Sequence, residues 1–374
     1  MSDTVRARLD STTAYLKENG LSGLVAASNA QNSFLESNAV FVLAGVRPIA
    51  ESLVMIGKSG ESVLIISPAW DVERASALAR TDRVVGTDDL PSTAGAVAAQ
   101  LSISSATAFG VGLTQLGHRL AGAIETAIGG PIKAEDNFVR DLARIRSAEE
   151  IALAREATRI AEAGYRALLE TARPGMREFE LAAEIYLKMK AMGSEDNFLL
   201  MSASQHNRAV RAASQRVLAE GDVILAEITP CLKGQFVQIC RTAVLGEPSA
   251  EVAGSFQLLQ KAMDAGLAAA SAGSTVAGLT NSMNRVFVDA GYGDYCRPPF
   301  MRVRGHGLGI TSNRPGDIDS KNEIVLEEGM VFVMHPNQYI PKVGYLMCGD
   351  PVAVTQRGAV SLATEPMQLD RIGV

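Results

Sequence analysis

From Ser147 onward the chain runs through two helices and then strands, and it does so twice. In SAEEIALAREATRIAEAGYRALLETA, Ser147 stands where an N-cap belongs and Glu150 where a capping box closes. Ile151, Ala154, Ile160, Ala161, Leu168 and Leu169 give an apolar stripe at helical spacing, and Pro174-Gly175 ends it. A second helix, REFELAAEIYLKMKAMG, stops at Gly193 and strand-rich segments follow. A further helix pair over 253–272 and 276–290 precedes a β-rich stretch from Arg302 to Val354. Helix–helix–strands thus recurs at about 150–245 and 253–354, which points to an internal duplication of an α-plus-sheet unit.

The preceding residues read differently. TVRARLDSTTAYLKENG is an amphipathic helix closed by Gly20, LSGLVAAS is a buried strand, and AESLVMIGKSGESVLIIS is a hairpin turning at residues 57–60. DVERASALART is helical, RVVGTDDL is a strand end and loop, and residues 91–131 add helix, strand and helix. The chain of 374 residues is long enough for two domains. We expect an α/β domain over 1–140 and an α+β domain over 141–374.

Composition narrows the function classes. Hydrophobic residues make up 47%, as in a globular protein, and the net charge of −6 offers no electrostatic attraction for nucleic acid or an anionic membrane surface. MSDTVRARLDST has no apolar core followed by a small-residue cleavage site, and no apolar run is long enough to span a bilayer. Cys231, Cys240, Cys296 and Cys348 are too scattered for a zinc knuckle and too few for a disulfide scaffold. The expectation is a cytoplasmic protein with reduced thiols, a small-molecule substrate, and neither nucleic-acid nor membrane partners.

Four places put polar groups where a plain core would not hold them. Val223-Ile224-Leu225-Ala226 is a buried strand that leads directly into Glu227, and after a turn at Lys233-Gly234 the chain returns with Gln238 and Arg241. A buried carboxylate costs several kcal/mol unless paired, so the bland reading is a Glu227–Arg241 ion pair or a strand-end Glu227 in water. In RVRGHGLGITSNRPG, His306 lies between glycines, which let backbone approach a ligand; without a Lys-Ser/Thr ending this is no phosphate loop. In GMVFVMHPN, five apolar residues run into His335. In GYLMCGDPVAVT, Cys348-Gly349-Asp350 interrupts a hairpin strand, with Asp350 a candidate turn residue. His206 lies in a polar loop, and His118 on a helix looks structural.

RIRSAEEIALAREA, LAEGDVILAEI, KGQFVQICRTAVLG, GHGLGI and LEEGMVFVMHP, in this order, resemble the creatinase, aminopeptidase P and methionine aminopeptidase superfamily. The resemblance covers the whole chain. It implies the pita-bread fold for the catalytic domain, preceded by a smaller creatinase-type N-terminal domain. Peptidases of this superfamily hold two metals on five side chains. Carried over residue by residue, the first aspartate falls on Glu227 and the second on Gln238. The GHG histidine is His306, and the EPG glutamate falls on His335. The last glutamate falls on Gly349, or on Cys348 with the gap placed differently. The histidine before the GD strand falls on Val210, and the one after GHG on Asn313. Two divalent cations need several carboxylates, one of them bridging, and that set is gone.

Creatinase, which has this fold without metals, is the precedent that the resemblance offers, with ectoine hydrolases nearby. The expectation is a metal-independent, creatinase-like hydrolase of a C–N bond in a small amidine, guanidino or amide compound, with no cofactor and no metal ligands. Glu227 would hold the amidinium, and His306 and His335 would share the acid–base work. Gln238 and Asn313 would orient water or substrate, with Arg304, Arg314, Arg47 and His206 as further substrate-binding candidates. The resemblance also implies a homodimer with each N-terminal domain near its neighbour's site. Two alternatives stand beside this. Glu227, His306 and His335 form a two-histidine, one-carboxylate set suited to a single Fe(II), Mn(II) or Zn(II). A non-catalytic binding protein on a degenerate peptidase scaffold is the other.

Overall fold

A computed structural model describes residues 2–373. The chain divides into two compact units, one running to Arg144 and including Gly309–Asn313, the other formed by Ile145–Leu308 with the chain from Arg314 on. Among the described residues no helix is long and apolar enough to cross a membrane.

The first unit is a six-stranded mixed sheet. Its order is Arg83–Gly86, Ser62–Ile66, Ser52–Gly57, Gly23–Ser28, Ala108–Val111, Lys133–Ala134. The two-residue side-chain period splits its strands between two cores. Leu24, Ala26, Val54, Ile56, Leu64 and Ile66 pack on one face with residues of the helices Ser2–Glu18 and Ala39–Ala44. Val25, Ala27, Leu53, Met55, Val63 and Ile65 pack on the other with Leu90–Gln100 and His118–Ala127. Gly309–Asn313 joins this unit by backbone pairing, Asn38 N donating to Ile310 O at 3.0 Å and Gly309 N to Phe34 O at 2.6 Å.

The second unit contains the repeat. Ala148–Thr171, closed by the Ser147/Glu150 capping box, packs with Glu178–Ala191 over a sheet ordered Asp370–Ile372, Ile239–Leu245, Val223–Leu232, Asn197–Ser204. Ala250–Ala269 and Val276–Asp289 pack over a sheet ordered Ser312–Asp317, Gly305–Leu308, Val331–Met334, Asp350–Thr355, Gly358–Ser361. Among the described residues one β-bridge joins the sheets, Cys240 to Gly349, with N–H···O bonds of 2.9 and 3.0 Å in the two directions.

Two local expectations are corrected here. Arg241 does not pair with Glu227. Lys233 and Gly234 both have positive φ, +44° and +77°, as in a two-residue type I′ hairpin turn, and the ladder runs in register from there. That register sets Cys240 opposite Glu227 and Arg241 opposite Ala226, so alternation sends Arg241 to the other face. Arg241 instead pairs with Asp350 at 2.8 Å, both buried. Asp350 is therefore the buried first residue of a strand, not a turn residue.

Candidate metal centre

One row of residues crosses the joined sheets. Glu227 lies opposite Cys240, Cys240 bridges Gly349, and the antiparallel register of Val331–Met334 with Asp350–Thr355 carried one step on sets Gly349 beside His335. His306 lies opposite Val333, two residues from His335 on the same face, so the imidazoles are diagonal cross-strand neighbours. Three strand spacings on a flat sheet would separate Glu227 from His335 by about 14 Å. Here single ligand atoms of Glu227, His306 and His335 all lie within 4.8 Å of one another, so the row curls around a concave centre. Gly349 sits at the tightest point: a Cβ there would lie 2.5 Å from His335 Cβ and 2.7 Å from Met334 O.

The electrostatics of the three groups follow from burial. Desolvation raises the Glu227 carboxyl to about 7, against the hydrogen bond that Gln238 Nε2 donates to its Oε1. Desolvation lowers His306, and it lowers His335 to about 3 with help from the neighbouring His306. Both rings are therefore neutral near pH 7. His306 Nδ1 is 3.0 Å from Gly307 O, an acceptor only, so Nδ1 carries the proton and Nε2 the lone pair. His335 is 6% exposed, and its Nδ1 has no hydrogen-bond partner. Gln238 is wholly buried and its Oε1 likewise has none. An unsatisfied buried polar atom costs roughly 1–3 kcal/mol.

These observations test the set against a metal. Two neutral imidazoles and one carboxylate, with an orphaned ring nitrogen among them, fit one divalent transition-metal ion. They do not fit two. Val210 packs against the apolar core, Gln238 and Asn313 are neutral amides, and position 349 has no room for a side chain.

The structure brings together four of the residues singled out in the sequence, Glu227, Gln238, His306 and His335. His206 lies in the exposed loop after Asn197–Ser204, its Nε2 3.1 Å from Tyr339 Oη. Arg304 is 0% exposed and its donors are spent within the fold, on Asn284 Oδ1, Asn337 O, Gln338 Oε1 and Cys296 Sγ, with its guanidinium 4.6 Å above the Phe287 ring. Burial lowers its pKa to about 10. It anchors the segment after His335 rather than presenting donors to a ligand. Arg314 is half-buried on the strand Ser312–Asp317. Arg47 and Asn313 belong to the other unit, where Asn313 Nδ2 donates to Leu35 O at 3.0 Å. Sequence reasoning did not single out Asn337, whose Oδ1 accepts from Cys348 N at 3.2 Å and whose Nδ2 is 4.0 Å from Cys240 Sγ. The signal available was its place two residues beyond His335.

Residues 152–356 match the family described as metallopeptidase family M24. Over 240 residues the chain is 31% identical to an Xaa-Pro dipeptidase of Pyrococcus furiosus, covering 63% of this chain and 68% of that one. It is 24% identical over 372 residues to an Xaa-Pro dipeptidase of Pyrococcus horikoshii, covering 98% and 99%. The solved Xaa-Pro dipeptidase from Bacillus anthracis superposes with a TM-score of 0.86 at 24% identity, over 98% of this chain and 99% of that one. The fold is thus the pita-bread fold, with an N-terminal domain before it, as in the creatinase/aminopeptidase P superfamily. These findings overturn the expectation of a metal-independent, creatinase-like hydrolase of non-peptide C–N bonds: the matching family is one of metallopeptidases, and the similar proteins are named for cleaving dipeptides. By residue type the substitutions at the ligand positions imply a lost two-metal site, whereas in the fold Glu227 and His335 stand with His306 as a group that could hold one ion. The chain belongs to metallopeptidase family M24.

Proposed function

We propose that this chain is a metal-dependent hydrolase that holds one divalent transition-metal ion on Glu227, His306 and His335 and cleaves small peptide or related amide substrates. The observation that carries this is the convergence of those three side chains within 4.8 Å, with His335 Nδ1 buried and unpartnered. When bound, such an ion supplies Lewis acidity toward a substrate carbonyl. The chain's residues do the rest. Gln238 Nε2 orients the Glu227 carboxylate, Gly307 O fixes the His306 tautomer, and Arg304 holds the backbone of Asn337. His206 and Tyr339 contribute polar atoms for substrate at the rim of this unit. Dipeptides are the first substrate class to try, because similar chains are named Xaa-Pro dipeptidases. We take 1–140 and 141–374 as the two domains and a cytoplasmic homodimer as the working form, on the superfamily resemblance.

The test is turnover of a dipeptide panel, Xaa-Pro peptides included, by chelator-treated protein. We expect no cleavage until Mn²⁺, Co²⁺ or Zn²⁺ is restored, saturation near one equivalent, and loss of the response in His306→Ala and His335→Ala. Cleavage that persists in chelator, or is untouched by both substitutions, would overturn the proposal.

A further inference from the structure

The loop QHNRAVRAASQR, residues 205–216, walls a cavity of about 350 Å³ in the second unit. Two charged groups of its lining are held by other groups of the fold. Arg216 is bidentate to Asp222 at 2.6 and 2.8 Å. Glu178, 3% exposed, accepts from Ala203 N at 2.8 Å, Ser214 N at 2.9 Å and Ser214 Oγ at 2.6 Å. The remaining two are not. Arg208 and Arg211 are exposed, and among the described residues neither guanidinium makes a hydrogen bond or ion pair. Two cations without an ion-pair partner thus line one concavity beside the Glu178 carboxylate, whose hydrogen bonds from neutral donors leave its charge in place, in a chain whose net charge is −6.

A loop arginine is ordinarily solvated and mobile, but this loop is held in place. Asn207 Nδ2 donates to Val223 O at 2.7 Å, Asn207 O accepts from Tyr345 N at 2.7 Å, and Arg211 O accepts from Met201 N at 2.8 Å. Val210, between the two arginines, packs against the apolar core. Gly344 lies so close that a Cβ on it would be 2.6 Å from Asn207 O. His206, which lines the cavity, has its Nε2 3.1 Å from Tyr339 Oη, and Tyr339 follows His335 by four residues in the chain.

We propose that this cavity binds the carboxylate of a small acidic substrate, with Arg208 and Arg211 as its specificity-determining cations. Calling the ligand a substrate rests on the hydrolase reading above; the anion site itself does not. Guanidinium groups match carboxylate geometry and make charge-assisted bonds about twice as strong as neutral ones. The volume lies within the usual range of small-molecule pockets.

The experiment is calorimetric titration of the full, chelator-treated chain with Gly-Asp and Gly-Asn, an isosteric pair differing in one charge. We expect Gly-Asp to bind about tenfold or more tightly than Gly-Asn at low ionic strength, with the preference shrinking as salt is added. The double variant Arg208→Gln/Arg211→Gln should lose the preference, and the double lysine variant should keep part of it. Equal affinities, no binding of either peptide, or a preference that survives in the double glutamine variant would overturn the proposal. The two readings fail separately: a chain that binds no metal yet prefers Gly-Asp keeps the anion site and loses the hydrolase, and a chain that loads metal without the preference does the reverse.

Discussion

Replacing Glu227 by Gln removes one half-buried ionisable group while keeping its shape and its ability to accept from Gln238 Nε2. The carboxyl rises from its ordinary 4.5 to about 7 in the fold because burial penalises its charged form. Its folded value therefore exceeds its unfolded one. Below pH 4.5 both states are protonated and nothing is lost. As pH rises from 4.5 through 7 the unfolded chain ionises first, and stability falls by about 1.4 kcal/mol per pH unit. Above 7 the loss is complete at about 2–3 kcal/mol, the roughly 3.4 kcal/mol of the full shift being discounted for the solvent that reaches this half-buried residue. For a unit of this size that corresponds to roughly 4–12 °C in melting temperature. Melting curves of chelator-treated wild type and Glu227→Gln, recorded between pH 4.5 and 8, should nearly coincide at the acid end, with the variant more stable by several degrees at pH 8. Excess Zn²⁺ or Mn²⁺ should reverse the order, because only the wild type gains binding free energy from the ion. A variant whose advantage does not grow with pH, or which melts lower at every pH without metal, would refute the reasoning: Glu227 would then be serving the fold rather than being held against it.

Other outcomes follow from the same geometry. His335 is held down to about 3, below its unfolded value, so metal-free protein should lose stability as pH falls from 6.5, at up to about 1.4 kcal/mol per unit; His335→Gln should flatten that acid limb in urea midpoints measured at pH 4 and 7. Asp350→Asn strands the buried Arg241 guanidinium, whose Nη1 also bonds Cys240 O and Gly349 O at the junction of the sheets. We expect a loss of about 3–5 kcal/mol in denaturant unfolding, together with weakened metal binding in titration. Stability intact in Asp350→Asn would show that the pair is dispensable to the junction.

Much of the fold was legible because it rests on local patterns. The Ser147/Glu150 capping box, the repeated helix pairs and the 52–66 hairpin are written in spacing and end residues, and each formed near its expected bounds. The Glu227–Arg241 pairing could have been rejected from the sequence: once Lys233-Gly234 is taken as a two-residue turn, counting outward sets 227 opposite 240 and turns Arg241 away. What the sequence hid was the partner of Arg241, since Asp350 comes from another sheet and is joined to it through the Cys240–Gly349 bridge. The site was half legible. Each of its residues stands out as a polar group at the edge of an apolar strand, but their distances depend on how far the row curls, and the sequence does not state that. Judged by residue type at each ligand position, the substitutions look like a lost metal site; in space, His335 moves a nitrogen donor to where His306 and Glu227 already converge. Arg304 misled for a related reason, because a loop arginine beside glycines resembles an anion binder until its burial is known.

The central claim is one metal ion held by three named side chains. Its most direct test is a crystal of protein reconstituted with Zn²⁺ or Mn²⁺, with anomalous scattering recorded at the absorption edge of that metal. The account expects one anomalous peak per chain, bonded to Glu227, His306 and His335, and its disappearance in His335→Gln. Two peaks in this pocket, a peak away from these three residues, or an unchanged peak in His335→Gln would contradict it.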